Sequence, residues 1–165
     1  MTIEWIDYTD GPSGPYSLAR DLVTVADYAE FAKATGHGAP KGRPLQPVTR
    51  VTAHEADAYA EWAGARLPTE REIEWAWRFR EDVTFAAWPL PELPDAGQYD
   101  TDTADGVRDL TGLVWHWTSS MQGAGRVDRG GGWYRVASYA RVASRYGGVP
   151  SRRGDSLGFR LARTP

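Results

Sequence analysis

Helix signals in this chain are confined to one stretch, and beyond it the pattern changes for good. Thr24 precedes Val25-Ala26-Asp27-Tyr28-Ala29-Glu30-Phe31, and Gly36 follows. The Thr24 hydroxyl suits an N-cap and Gly36 a left-handed stop. Tyr28 and Phe31, three apart, fall on one helix face. Thr52-Ala53-His54-Glu55 is a capping box that opens a helix to about Ala63, with Gly64 as its stop. Thr69-Glu70-Arg71-Glu72 is a further capping box, and Ile73, Ala76, Trp77 and Arg80 follow it at helical spacing. Residues 82–109 are instead rich in Pro, Asp, Gly and Thr, with isolated Trp88 and Tyr99; they read as a long loop packed through its aromatics. From Leu113 onward, short apolar stretches alternate with glycine clusters. Val114–Thr118, Gly132–Tyr134, Ala140–Ser144 and Gly158–Leu161 read as strands. Helices early and strands late predict an α+β domain with few helices, small twisted antiparallel sheets and much loop.

At 165 residues the chain fits a single domain, residues 1–165. Hydrophobic residues at 41% and charged residues at 25% argue against disorder and coiled-coil architectures. The chain has no cysteine, which excludes disulfides, thiolate nucleophiles, zinc–thiolate sites, iron–sulfur clusters and thiolate-bound copper. No apolar run approaches the roughly 20 residues of a membrane span, and a membrane is not an expected partner. Met1–Gly11 carries Glu4, Asp7 and Asp10 and lacks the apolar centre of a signal peptide. The expected location is cytoplasmic.

Charge is unevenly spread. The whole chain stands at −3, yet residues 126–165 hold nine Arg, no Lys and only Asp128 and Asp155. These Arg alternate with glycines, aromatics and small residues rather than forming a run. That pattern favours a basic tail folded against the acidic front half through Arg–carboxylate pairs over a nucleic-acid surface. A nucleic-acid partner is therefore not favoured.

Several segments, in order, resemble the formylglycine-generating enzyme, or sulfatase-modifying factor, family. They are Val23–Phe31, Gln46–Val48, Ala58–Gly64, Ala65–Arg78, Asp109–Thr118, Arg129–Trp133, Arg141–Arg145 and Leu157–Leu161. Together they cover most of residues 23–163. The resemblance implies a variant of the C-type lectin fold. In that frame Arg66 and Glu70 flank a helix entry, where a carboxylate suits the helix dipole and can pair with the guanidinium. Gly130, Gly131 and Gly132 permit a bulge or a close approach. Trp115 and Trp117 share one strand face, and Gly158 lets Phe159 turn into the core.

The departures from the family carry as much weight as the matches. The resemblance implies two C-terminal cysteines that bind copper(I) and activate oxygen. Here the corresponding stretch, Trp133–Arg145, has Arg135 in the first position and Ala140 or a gap at the second. An Arg cation cannot hold a soft metal. The family's Asn-Val-Trp-Glu-Trp calcium segment reads Leu113-Val114-Trp115-His116-Trp117. Leu has no donor oxygen and His is a poor ligand for a hard cation, so that calcium site is expected to be lost. Asp95, Asp100, Asp102 and Asp105 read as a solvated acidic loop. A branch of the wider family uses non-haem iron held largely on an additional helical domain. This chain has only His37, His54 and His116, without paired spacing. His37 and His54 read as solvated, and His116 as structural or on the surface.

No cofactor and no metal are therefore expected. What remains is an aromatic and Arg-rich C-terminal surface: Trp133, Tyr134, Arg135, Ser138, Tyr139, Arg145, Tyr146 and Arg152 as candidate ligand-binding residues. Rigid rings, small polar residues and Arg are what recognition surfaces favour. Trp133 and Arg145 also fit a buried scaffold role; Tyr134, Arg135, Tyr139 and Tyr146 are the ones expected at the surface. The fold is also similar to that of diversity-generating-retroelement variable proteins, which place mutable residues in the matching stretch. The expected function is a non-catalytic module that binds a protein or small-molecule ligand. The alternatives are a metal-dependent oxidoreductase with a non-cysteine site and a structural subunit.

Overall fold

Each of the three threonines named above caps a helix. The computed structural model describes residues 2–78, 89–98, 103, 105–134 and 144–165. Helix α1 spans Val25–Thr35, α2 Ala53–Trp62 and α3 Glu70–Trp77. At every start the Thr hydroxyl accepts from the backbone N–H three residues on, and that residue's carboxylate accepts from the Thr N–H. For α1 the returning carboxylate is Asp27, so a full box stands where the sequence suggests a single cap. Gly36 ends α1 at φ 78° and Gly64 follows α2 at φ 68°, a region that glycine enters without strain.

Strands flank the helices on both sides in sequence. Strand β1 (Trp5–Tyr8) and β2 (Tyr16–Ala19) precede α1; β3 (Trp115–Gln122), β4 (Gly125–Arg129), β5 (Arg145–Gly148), β6 (Leu157–Gly158) and β7 (Ala162–Arg163) follow α3. The expectation of helices early and strands late is thus corrected at the N-terminus. Two four-residue strands are too short for alternation to announce them. One sheet has the order β1-β2-β7 and is antiparallel. The other has the order β5-β4-β3-β6, with β6 joining β3 in parallel. The chain is α+β as expected, with one antiparallel sheet and one mixed.

Two further strand expectations change. Gly132 lies in no strand and Trp133–Tyr134 form a turn, after Gly130 and Gly131 at φ 119° and 82° turn the chain from β4. The Trp133 N–H then bonds the Leu113 carbonyl at 3.0 Å, and the Trp133 carbonyl accepts from Leu90 at 2.9 Å. Of Gly158–Leu161, only Gly158 lies in a strand; Phe159 and Leu161 bond to the backbone of Val23 and Ala19 instead. Ala140–Arg141-Val142-Ala143 lies outside the described residues, and Ser144 is in no strand. Residues 89–98 and 105–109 hold no helix or strand, in line with the expected loop.

The principal core is aromatic. Tyr28 and Phe31 meet from one face of α1 at 5.2 Å, Tyr59 of α2 stacks on Tyr28 at 5.7 Å, and Phe159 meets Tyr59 edge-on at 5.3 Å. Trp117 is fully buried against this group, and its indole N–H is satisfied by the Val51 carbonyl at 3.0 Å. Half-buried Trp115 packs beside it, as the shared strand face requires. A second cluster holds Tyr8 stacked on Tyr16 at 4.8 Å, together with Ile73 and Trp77 from the inner face of α3.

Candidate functional site

The C-terminal arginines are the frame of the surface rather than its free cations. Arg126 bonds Asp57 at 2.6 Å, Arg153 bonds Glu55 at 2.7 Å, and Arg163 lies 3.8 Å from Asp7. Arg160, fully buried, donates to the carbonyls of Ala19, Arg20 and Arg108. The basic tail therefore folds onto the acidic front half, as its charge pattern suggests. Arg135 and Arg141 lie outside the described residues.

Two further pairings organise β4 and β5. On one face of the sheet, Arg129 and Arg145 sit in register. Arg129, 1% exposed, bonds Glu74 at 2.6 Å and lies 3.4 Å from Glu70 of α3. Arg145 grips Glu70 with two nitrogens, at 2.6 and 3.0 Å, and donates to the Gln122 amide oxygen at 2.7 Å. The Arg145 guanidinium, and then that of Arg129, holds the Glu70 carboxyl below its ordinary range. The expected partnership of Arg66 with Glu70 is corrected here. Arg66 pairs with Glu72 instead, through two bonds of 2.7 and 2.8 Å. Glu72 is the returning carboxylate of the α3 capping box, so its side chain already points back toward Arg66.

On the opposite face, register places Trp117, Asp128 and Tyr146 in one row. Arg152 lies across that row, 5.3 Å above the Trp117 ring and 4.6 Å from the Tyr146 ring, while bonding Asp128. Burial pushes the Asp128 carboxyl up to about 6 even with Arg152 beside it. Arg152 is thus a strut holding Tyr146 in place.

Tyr146 and Tyr134 are what this frame presents, at 52% and 42% exposure. Beside Tyr146 lies an open hollow of about 490 Å³, lined by Gln122, Gly125, Arg145, Gly147, Gly148 and Val149. Val149 is exposed, and Met121 near the end of β3 is exposed as well. Trp133 is half-buried against the cluster of Leu22, Leu90, Leu113 and Val114, with its indole N–H 3.3 Å from the Asp155 carbonyl. Of the eight candidate residues, Tyr146 and Arg152 meet on one face of the sheet while Arg145 lies on the other, and Trp133 and Tyr134 touch edge-on at 5.3 Å. Arg135, Ser138 and Tyr139 lie outside the described residues. Sequence reading missed Gln122, Gly147, Gly148 and Val149. The run Tyr-Gly-Gly-Val carried a signal, since paired glycines uncover whatever apolar neighbours they have.

The metal sites that the family implies do not fit these residues. The whole chain lacks a thiolate for copper. At the calcium segment, Leu113 packs with Leu22, Leu90 and Val114. His116 is fully buried; its Nδ1 bonds the Arg129 carbonyl at 3.1 Å, and its Nε2 has no partner among the described residues. Burial, and then the Arg160 charge, drives the imidazole well below its ordinary value, so it is neutral. The Gly130 backbone is pressed against it: a Cβ there would lie 2.7 Å from Nδ1. His116 is structural, not on the surface. His54 is exposed as expected; His37 is exposed but leans on Phe31 at 4.5 Å. Asp95 of the acidic loop pairs with Arg43 at 3.2 Å. Among the described residues, no three acidic, His or Cys side chains gather as a metal cluster.

Three helices beside a small antiparallel and a small mixed sheet, closed by a Gly-Phe-Arg segment, define a C-type-lectin-like domain of the formylglycine-generating type. The chain belongs to the sulfatase-modifying factor enzyme 1-like domain family, whose model matches residues 12–165. It is 34% identical to the inactive C-alpha-formylglycine-generating enzyme 2 of Mus musculus over 70% of this chain and 48% of that protein. It is 31% identical to the formylglycine-generating enzyme of Streptomyces coelicolor over 90% of this chain and 78% of that one. The chain spans about half the length of the mouse relative. In solved structures, PvdO from Pseudomonas aeruginosa matches with TM-score 0.79 at 23% identity, over 94% of this chain and 85% of that one. Treponema denticola variable protein 1 matches with TM-score 0.75 at 19% identity, over 99% and 92%. No helix among the described residues is long and apolar enough to cross a membrane.

Proposed function

We propose that this chain is a non-catalytic binding module that recognises a protein or small-molecule ligand through its C-terminal aromatic surface, in the manner of diversity-generating-retroelement variable proteins. The observation that carries this reading is Tyr146. A large aromatic ring stands half exposed beside an open hollow, and half-buried Arg152, paired with buried Asp128, supports it. A rigid ring of this kind offers contact area at little cost in side-chain entropy. Tyr134 extends the same chemistry, and the two glycines of β5 leave the hollow open. The lack of any thiol supports a binding role over the copper chemistry of the active relatives. A metal-dependent oxidoreductase built around His116 finds little support, because that imidazole is enclosed and anchored to the Arg129 carbonyl.

The test is an affinity screen of the purified chain against arrayed proteins and glycans, with each hit quantified by surface plasmon resonance. Tyr134→Ala with Tyr146→Ala is expected to weaken a genuine hit by roughly tenfold or more, with an unchanged circular dichroism spectrum. Unchanged affinity in that folded double variant overturns the assignment of the surface.

A further inference from the structure

A second cavity shares no residue with the Tyr146 hollow. It holds about 370 Å³ between the end of β2, the start of α1 and the core, and its lining includes Leu22, Val23, Leu161 and Tyr59. That volume is within the range that takes small organic ligands. Leu45 at its rim is 62% exposed, an apolar side chain that nothing among the described residues covers.

The charges at the rim are not balanced. Glu4 pairs with Arg20, and Asp21 lies 3.7 Å from Arg108 and 3.9 Å from Arg20. Asp27 has no ion pair among the described residues. Both of its hydrogen bonds, from the Thr24 N–H and hydroxyl, fall on one oxygen, Oδ2. Oδ1 is left as an acceptor on a half-buried carboxylate at the edge of an apolar cavity. The N-terminus of α1 does not offset this charge toward an anion, because Thr24 and Asp27 already cap it. The Tyr59 hydroxyl senses the same field: burial first, then the charges of Asp27 and Glu30, raises it above its ordinary value.

We propose that this cavity binds a small organic cation, its ammonium or guanidinium group on Asp27 Oδ1 and its apolar body against Leu22, Val23 and Leu45. Two features select that class. The unpaired carboxylate rewards a positive charge, and the apolar walls reward a hydrocarbon body. The site stands apart from the Tyr146 surface, so either can fail without the other.

The probe is phenethylamine, compared with neutral 2-phenylethanol and anionic phenylacetate, by saturation-transfer NMR and titration calorimetry on the whole chain. The amine is expected to bind roughly tenfold or more tightly than the alcohol, and phenylacetate not to bind. Asp27→Asn keeps an oxygen for the helix cap and removes the charge; it should abolish the preference for the amine over the alcohol. Ala26→Trp, at an exposed position lining the cavity, should block the amine and the alcohol alike and leave the Tyr146 surface unaffected. Equal binding of amine and alcohol, binding of phenylacetate, no binding of the amine, or amine binding that survives both folded variants overturns the proposal.

Discussion

The helical half of this molecule and its C-terminal sheet are stabilised by different kinds of order. Residues 24–77 are built from local devices, each closed within four residues: a threonine, a returning carboxylate and, for α1 and α2, a glycine beyond the end. The β3–β4–β5 region is built from contacts that span the chain. Arg126 reaches Asp57, Arg129 reaches Glu70 and Glu74, Arg145 reaches Glu70, and Arg153 reaches Glu55. Local devices act singly, whereas Arg129 and Arg145 share Glu70. Mutations should therefore add in the first half and couple in the second.

The largest effect belongs to Arg129. It is 1% exposed, bonded to Glu74, close to Glu70 and 5.6 Å from the Trp77 ring. Arg129→Ala removes the cation that couples α3 to β4 and empties its space. It should cost about 3 kcal/mol in urea unfolding. Glu70→Ala should cost less, because Glu74 remains for Arg129. The double variant should fall short of the sum by about 1 kcal/mol. Strict additivity would remove the contrast between the halves.

Asp128 gives the next effect, and its sign differs from that of its neighbours. Its folded value of about 6 lies above the ordinary 3.8. The native chain thus binds a proton there more tightly than the unfolded chain does. The stability contributed by this group is full below about 3.8 and is lost as pH rises through about 6. That rise corresponds to on the order of 3 kcal/mol. Glu70 and Glu55 are held below their ordinary 4.5. Their contribution is present above 4.5 and is lost as pH falls. Asp128→Asn should flatten the decline in stability between about pH 4 and 6, read from urea midpoints across that window. A slope unchanged from the parent chain would show that Asp128 is not buried as a carboxylate.

The same contrast explains what was legible in the sequence. Thr52, Glu55 and Gly64 declare a helix because capping chemistry is short-range, and all three helices lie where their caps put them. The ordered family segments supplied the fold. Strands β1 and β2 were illegible because four residues carry too little alternation. The pairing of the C-terminal Arg with front-half carboxylates was legible as a charge imbalance, but not which Arg meets which acid. That Glu70 and Asp128 engage Arg145 and Arg152 is likewise invisible in the sequence, because those pairs join residues far apart along the chain or across strands. Tyr134 and Tyr146 were placed at the surface correctly, whereas the hollow beside Tyr146 depends on a strand register that only the folded chain defines.

The smallest effects fall on the caps, and they test the helical half on its own terms. Thr52→Ala removes the acceptor for the Glu55 N–H, and Thr69→Ala the acceptor for the Glu72 N–H. Each should cost about 1 kcal/mol in urea unfolding. Thr→Ser at either position should restore most of it, since the hydroxyl is what accepts. The two boxes share no partner: Glu55 is engaged by Arg153 and Glu72 by Arg66. The double variant Thr52→Ala with Thr69→Ala should therefore lose the sum of the single losses to within about 0.5 kcal/mol. A larger departure would mean that the capping carboxylates, through Arg153 and Arg66, belong to the long-range network after all. The helical half would then depend on the tail as much as the tail depends on it.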